Sequence, residues 1–162
     1  MARNLNFQTI PLADLPLKGR IQPGSSRRPI VLIVDNEAVI ADTRAMILEL
    51  SGISAMVAYD GKSALEIAHT APPDLLLTDV AMPGMNGLEL AIAIRKILPN
   101  CGILLFSGQA SNADLLNAAG EAEQEFTILT KPLHPTELLA RISDALKSQG
   151  RDGESGLSWG SA

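Results

Sequence analysis

Residues 29–35 read Pro29-Ile30-Val31-Leu32-Ile33-Val34-Asp35. This stretch is a continuous apolar run rich in β-branched residues, and it ends at a carboxylate. Such a run predicts a strand buried on both faces, because a strand with one face in water alternates apolar and polar side chains. Strands of this kind are typical of parallel sheets that helices cover on both sides. The stretch therefore indicates an α/β protein.

The same pattern recurs along the chain, and a segment of helical character follows each apolar run. Further strands are predicted at Ser54–Tyr59, Leu75–Leu77, Gly102–Phe106 and Phe126–Leu129. Helices are predicted along the stripe Val39, Thr43, Met46, Ile47 and Leu50, after Asp60, at Leu88–Leu98, after Ser111 and after Pro135. Parallel strands need right-handed helical crossovers. We therefore expect a doubly wound, five-stranded parallel sheet with helices on both faces.

The composition narrows the class of protein. The 162 residues include 13 Lys and Arg against 18 Asp and Glu, a net charge of −5, and 3% are aromatic. This balance argues against a nucleic-acid-binding protein, which needs a basic stripe and often stacking rings. No apolar run approaches the ~20 residues of a membrane span. A secretory signal is not recognisable and Cys101 is the single cysteine, so we expect a cytoplasmic protein.

The chain divides into three parts by composition. Residues 1–28 are basic, contain several prolines and lack any sustained periodicity, so we expect a disordered lead. The alternative is a short docking motif between Phe7 and Leu17. Most of the acidic side chains belong to the domain at residues 29–147, and the Gly/Ser-rich residues 148–162 predict a flexible tail. Neither end is long enough for an effector domain, so we interpret the domain as a stand-alone one.

Polar side chains follow four of the five predicted strands, at the point where each strand ends. The carboxyl ends of parallel strands meet at one edge of the sheet, so these side chains should lie close together. Neighbouring carboxylates repel one another unless a cation neutralises them, and their oxygens suit Mg²⁺. A carboxylate nucleophile, a metal ion, an ammonium group and a hydroxyl together form a site for a phosphoryl group. The residues are Asp35 and Asn36 after the first strand, Asp79 after the third, Ser107 after the fourth and Lys131 after the fifth.

Over about residues 29–147 the sequence resembles the receiver domain of two-component response regulators. The resemblance rests on Ile33-Val34-Asp35-Asn36-Glu37, Leu77-Thr78-Asp79-Val80-Ala81-Met82-Pro83-Gly84-Met85-Asn86-Gly87, Leu105-Phe106-Ser107-Gly108 and Leu129-Thr130-Lys131-Pro132. The second of these runs is the most specific. The resemblance implies a flavodoxin-like sheet with the strand order 2-1-3-4-5.

The resemblance also implies a role for each of the residues at the strand ends. Asp79 is expected to accept a phosphoryl group from the phosphohistidine of a histidine kinase or a phosphotransfer protein. Ser107 and Lys131 are expected to contact the phosphoryl oxygens, and the Lys131–Pro132 peptide bond is expected to be cis. Such a domain is a phosphoacceptor rather than an enzyme; its output is contact with a downstream protein, pairing with a second copy, or relay of the phosphoryl group. The implied Mg²⁺ ligands are Asp35, Asn36, Asp79 and the main-chain carbonyl of Ala81.

Three features depart from the pattern of the family. Asn36 replaces a second acid, which should weaken Mg²⁺ binding; the alternative is that Asn36 mainly caps a helix beginning at Glu37. Ile128 stands where the family often has an aromatic switch residue. Phe126 lies on the same face of the strand and is an alternative switch residue, although we favour a place in the core. The acidic connection Gly120–Glu125 is longer than usual, so the geometry of dimerisation does not carry over.

Other classes of protein with this architecture fit the residues less well. A flavin- or dinucleotide-binding protein needs a Gly- or Ser/Thr-rich phosphate loop after the first strand, where this chain is acidic. A haloacid-dehalogenase-like phosphatase needs a second acid two residues after its nucleophile, where this chain has Ala81. The remaining alternative is a phosphorylation-independent, receiver-like interaction module. Asn36 and Ile128 favour that alternative, whereas the intact carboxylate, hydroxyl and ammonium groups oppose it.

Overall fold

The computed structural model describes residues 27–108 and 126–158, together with Asn117 and Gly120 between them. Three expectations from the sequence therefore lie outside the described residues. These are the disordered lead over its first 26 residues, the helix predicted after Ser111, and the acidic part of the connection after Gly120.

Strands and helices alternate along most of the described chain. The strands are β1 (Ile30–Val34), β2 (Ser54–Ala58), β3 (Leu75–Asp79), β4 (Gly102–Ser107) and β5 (Thr127–Thr130). The helices are α1 (Ala38–Leu50), α2 (Gly61–Thr70), α3 (Gly87–Ile97) and α4 (Pro135–Ser158). All strand pairs are parallel and the sheet order is β2-β1-β3-β4-β5, which confirms the predicted flavodoxin-like sheet. Within the described part of the chain, no helix has the length and apolarity to cross a membrane.

Helices cover both faces of the sheet, as predicted. On one face Leu32 and Val34 of β1 pack with α2 and α3, and on the other Val31 and Ile33 pack with α1 and α4. Alternate residues of a strand point to opposite faces, so the apolar run of β1 supplies both cores. These four side chains are fully buried, and each contributes about 1.5–3 kcal/mol to the free energy of unfolding. The prediction from residues 29–35 is therefore confirmed.

The register of the sheet sets the strand ends side by side. Val34 pairs with Thr78 across β1 and β3, so the next residues, Asp35 and Asp79, leave the two strands as neighbours. β4 continues this alignment, with Phe106 opposite Asp79. The polar residues that follow the strands therefore share one edge of the sheet, which we call the acidic edge.

The apolar stripe that predicts α1 lies largely on its solvent side. Val39, Met46 and Leu50 are 77%, 63% and 57% exposed. The helix packs against the sheet through Ala41 and Leu48, which are fully buried. Helical periodicity identifies a stripe, but it does not determine which side of the helix meets the sheet. The helix is confirmed, and part of its apolar stripe is a surface feature.

The starts of two helices test the capping predictions. The Asp60 carboxylate accepts a hydrogen bond from the Ser63 N–H at 2.7 Å, so Asp60 caps α2 as predicted. The N-cap position of α1 is Glu37, which makes no side-chain cap, so the alternative that Asn36 caps a helix beginning at Glu37 is wrong. The physical reason is that the Asp35 carboxylate, not Asn36, accepts the Glu37 N–H and turns the chain into the helix.

Side-chain contacts on one side and helical structure on the other extend beyond the predicted boundaries of the domain. Arg27 donates to both carboxylate oxygens of Asp74, at 2.8 and 2.9 Å, and Arg28 donates to the Gly52 carbonyl at 3.1 Å. The last two residues of the predicted lead therefore contact the edge of the sheet where the strands begin. α4 continues to Ser158, into the segment for which a flexible tail was predicted. A helix with a packed apolar stripe gains further turns at low cost, because nucleation is already complete.

Candidate functional site

Asp79 and Lys131 come from the ends of different strands and are in direct contact. The Nζ atom of Lys131 lies 2.8 Å from Oδ1 of Asp79. The Asp79 side chain is 8% exposed and the Lys131 side chain 34% exposed. A carboxylate this buried needs a counterion, because removing a charge from water is costly unless the charge is paired. The ammonium group meets this need while one side of it stays in water.

The main chains of Ser107 and Lys131 are hydrogen-bonded to each other at the acidic edge. The Lys131 N–H donates to the Ser107 carbonyl at 2.9 Å, and the Lys131–Pro132 peptide bond is cis, as expected. Ser107 is buried, and its hydroxyl donates to the Gly108 carbonyl at 2.9 Å. Because a hydroxyl rotates to suit its partners, the Ser107 hydroxyl can change its acceptor.

The chain turns back sharply after Asp79. The Gly87 N–H donates to the Val80 carbonyl at 2.9 Å, and a Cβ atom at Gly87 would lie 2.1 Å from the Asp79 carbonyl oxygen. Only a residue without a side chain permits this approach. Gly84 lies within the turn and has a φ of 73°, in the region that favours glycine. The start of α3 therefore holds the main chain of Asp79, and Ala81 lies exposed in the turn between them.

Asp35 is the second buried carboxylate of the acidic edge, with 1% of the residue exposed. Its Oδ1 accepts a hydrogen bond from the Glu37 N–H at 2.9 Å, and its Oδ2 lies 3.0 Å from Nη1 of Arg44. The Arg44 side chain is 14% exposed, and its Cζ lies 4.2 Å from the centroid of the Phe106 ring. An ion pair and a cation–π contact therefore hold this guanidinium beside Asp35.

Arg44 is the site residue that sequence reasoning missed. It belongs to α1, less than two turns after the helix begins, and no motif of the sequence includes it. The only signal was a basic residue in a helix that directly follows an acidic strand end. That signal has no meaning until the rotation of α1 about its axis is known, because the same residue on another side of the helix would be a solvated surface group.

A sequence model of the response regulator receiver domain matches residues 31–143. The chain belongs to this family of receivers. It is 32% identical over 120 residues to the uncharacterised transcriptional regulatory protein YkoG of Bacillus subtilis, across 74% of this chain and 52% of YkoG. It is 31% identical over 144 residues to the alkaline phosphatase synthesis transcriptional regulatory protein SphR of Synechococcus elongatus, across 83% and 55% of the two chains. The receiver thus spans about half the length of these two relatives.

Solved structures of other receivers have the same fold. The TM-score is 0.71, at 27% identity, to the CheY-like receiver domain protein of Methanospirillum hungatei, with 77% of this chain and 98% of that chain covered. It is 0.66, at 29% identity, to the chemotaxis protein CheY4 of Vibrio cholerae, with 73% and 98% covered. Both likenesses extend over nearly the whole of the other chain, so the sheet and its strand ends are those of the family.

The receiver family implies a Mg²⁺ ion at the acidic edge, and the donors of this receiver fit it in part. Asp35 and Asp79 offer carboxylate oxygens and Asn36 an amide oxygen, which are the hard donors that Mg²⁺ prefers. In the described ranges, no three acidic, His or Cys side chains cluster closely enough to hold a metal ion. Two carboxylates are thus available, and each already faces one cation, Arg44 or Lys131. The formal charges of these four groups sum to zero.

The remaining departures from the family's pattern lie near the last strand of the receiver. Ile128 is partly buried and packs against the core on the side of α2 and α3, where Phe126 also packs. The Phe126 ring has the Arg95 guanidinium 5.5 Å from its centroid. Phe126 therefore occupies the core position that we favoured from the sequence. Asn36 is exposed, directly after Asp35 at the acidic edge.

Proposed function

We propose that this receiver accepts a phosphoryl group on Asp79 from the phosphohistidine of a histidine kinase or a phosphotransfer protein. The observation that carries the proposal is the buried contact of 2.8 Å between Asp79 and Lys131. A carboxylate oxygen of Asp79 attacks phosphorus, the bond between phosphorus and the imidazole nitrogen breaks, and that nitrogen keeps the electron pair. Lys131 then neutralises charge on the phosphoryl oxygens. The receiver acts as a phosphoacceptor in this reaction, not as an enzyme that releases a product.

Mg²⁺ is part of the proposal. Its ligands would be Asp35, Asn36, Asp79 and the main-chain carbonyl of Ala81. The ion would supply positive charge where the transferred group gains negative charge. The Ser107 hydroxyl, which now donates to the Gly108 carbonyl, would rotate to donate to a phosphoryl oxygen. In this arrangement each residue would supply either charge or a hydrogen-bond donor next to Asp79.

The partner proteins would meet the receiver close to the acidic edge. α1 begins three residues after Asp35 and exposes Val39, Met46 and Leu50 along one side. Exposed apolar side chains grouped on one element are typical of protein–protein contacts. We propose that a histidine kinase or phosphotransfer protein approaches over this surface. The output would be contact with a downstream protein, pairing with a second copy, or relay of the phosphoryl group.

The test is the intact mass of the protein after incubation with a small phosphodonor, with and without Mg²⁺. We expect a gain of one phosphoryl group that requires Mg²⁺ and that is lost in Asp79→Asn. Asp144→Asn is the matched control, because Asp144 is exposed on α4, away from the acidic edge. No gain in the wild-type protein at millimolar Mg²⁺ and donor would contradict the proposal.

A phosphorylation-independent interaction module is the second candidate. Two observations favour it: Asn36 brings no charge to the acidic edge, and Asp35 is already paired with Arg44 at 3.0 Å. A module of this kind would give no mass gain under any of the conditions above. It would keep its fold and its exposed α1 surface when Asp79 is replaced.

A further inference from the structure

We infer that the Arg44 guanidinium competes with Mg²⁺ for the Asp35 carboxylate at the acidic edge. This competition sets the Mg²⁺ concentration that the receiver needs for phosphorylation. The inference rests on the proposed function, because it concerns the same site. Its starting point is the ion pair of 3.0 Å between Arg44 Nη1 and Asp35 Oδ2. Both groups are largely removed from water, since the two side chains are 14% and 1% exposed.

The guanidinium is held in place from a second direction. Its Cζ lies 4.2 Å from the centroid of the Phe106 ring, which is 2% exposed. A planar guanidinium on an aromatic face, bonded at its edge to a carboxylate, is a fixed arrangement rather than a solvated side chain. Arg44 therefore places a permanent positive charge at the site that the family uses for a metal ion.

Charge and coordination then make Arg44 and Mg²⁺ competitors. Both oxygens of Asp35 already accept, one from the Glu37 N–H and one from Arg44. With Asn36 uncharged, the charges of Asp35 and Asp79 are balanced by Arg44 and Lys131. A divalent ion that binds Asp35 meets the guanidinium at close range, and like charges so placed repel. Each carboxylate oxygen keeps a second lone pair, so it is this repulsion that makes the guanidinium give up its contact with Asp35 when Mg²⁺ binds.

The size of the effect follows from the contact that is given up. A hydrogen bond between charged groups of this kind is worth enough to change an affinity about tenfold. We expect the Kd for Mg²⁺ to fall about tenfold when the guanidinium is removed.

The experiment is calorimetric titration of the full chain with Mg²⁺ alone, without phosphodonor. Arg44→Met removes the charge, and Arg44→Gln removes the charge but keeps a hydrogen-bond donor. Arg141→Met is the matched control, since Arg141 lies on α4 in an exposed ion pair with Glu137 at 3.8 Å. A lower Kd in both Arg44 variants and an unchanged Kd in the control supports the inference. An unchanged Kd in the Arg44 variants overturns it and leaves Arg44 as a structural ion pair.

The wild-type protein provides a second measurement, in case Asp35 without its partner prevents folding of the variants. The side-chain Nε–Hε resonance of Arg44 is followed by NMR while Mg²⁺ is added. We expect this resonance to shift with the same midpoint as calorimetric binding, because the guanidinium leaves Asp35. A resonance that stays unchanged at saturating Mg²⁺ overturns the inference.

The two proposals fail in different ways. If the Arg44 variants bind Mg²⁺ more tightly but the wild-type protein gains no phosphoryl mass, the proposed function is wrong and the competition stands. If the wild-type protein is phosphorylated and the Arg44 variants bind Mg²⁺ with the wild-type Kd, the proposed function stands and the competition is wrong.

Discussion

The two carboxylates of the acidic edge differ in how their counterions are held. Lys131, beside Asp79, keeps 34% of its side chain in water and reaches its partner from the end of another strand. Arg44, beside Asp35, is 14% exposed and lies against the Phe106 ring. A partly hydrated ammonium on a flexible stem can follow an incoming anion, whereas a stacked guanidinium is pre-organised in one place. The ion pair of Asp79 can therefore rearrange more readily than the ion pair of Asp35.

A third buried ionisable group shows the effect of burial on the pKa of a side chain. Cys101 precedes β4 at the opposite edge of the sheet, and burial raises the pKa of its thiol to about 11. The charge of Arg95 acts against this shift without cancelling it. Burial alone thus favours the neutral form of a group. The contacts made by Lys131 and Arg44 are what make charged carboxylates tolerable at the acidic edge.

The largest expected effect is that of Gly87→Ala, which disturbs the main chain at Asp79 and not at Asp35. The added Cβ would lie 2.1 Å from the Asp79 carbonyl oxygen, so β3 or α3 must move. We expect the free energy of unfolding to fall by about 3 kcal/mol, as measured by urea denaturation. Gly108→Ala is the control, because a Cβ there meets nothing within 4 Å. Equal stabilities of the two variants would show that the close approach at Gly87 is not needed.

Lys131→Met tests whether the ion pair of Asp79 with Lys131, and not that of Asp35 with Arg44, takes part in phosphorylation. The variant removes the ammonium group that we propose contacts the phosphoryl oxygens, and we expect the rate of phosphorylation by a small phosphodonor to fall about 10²-fold. Arg44→Met should instead keep the wild-type rate at saturating Mg²⁺. Lys147→Met, at an exposed position of α4, controls for loss of a positive charge. Similar rates for the Lys131 and Arg44 variants would remove the distinction between the two carboxylates.

Asn36→Asp tests the charge balance beside Asp35, and of the three substitutions it has the smallest expected effect. It adds one carboxylate beside Asp35 at the acidic edge, so negative charge would exceed positive charge there. We expect the Kd for Mg²⁺ to fall about fivefold in a calorimetric titration, since affinity rises with the number of charged ligands. Asn100→Asp adds the same charge before β4, at the other edge of the sheet. Equal affinities of the two variants would mean that position 36 takes no part in binding the ion.

Most of the fold could be predicted because its signals are local. The apolar runs of β1 and β3 are buried on both faces, and the sheet has the expected order. The boundaries were less predictable, since α4 continues to Ser158 through a Gly-containing segment. The start of α3 also has a local signal, a capping box in which Asn86 and Glu89 each accept the other's N–H.

By itself the sequence determined which residues end the strands, and a parallel sheet brings such ends to one edge whatever its details. The sequence therefore predicts that Asp79, Ser107 and Lys131 lie at one edge of the sheet, and the structure places them there. Only the tertiary structure decided what lies beside Asp35, because that depends on how α1 is rotated against the sheet. The same rotation leaves Val39 in water and carries Arg44 to the carboxylate. A strand end is specified by neighbours in the chain, whereas the side of a helix that meets the sheet is decided by packing.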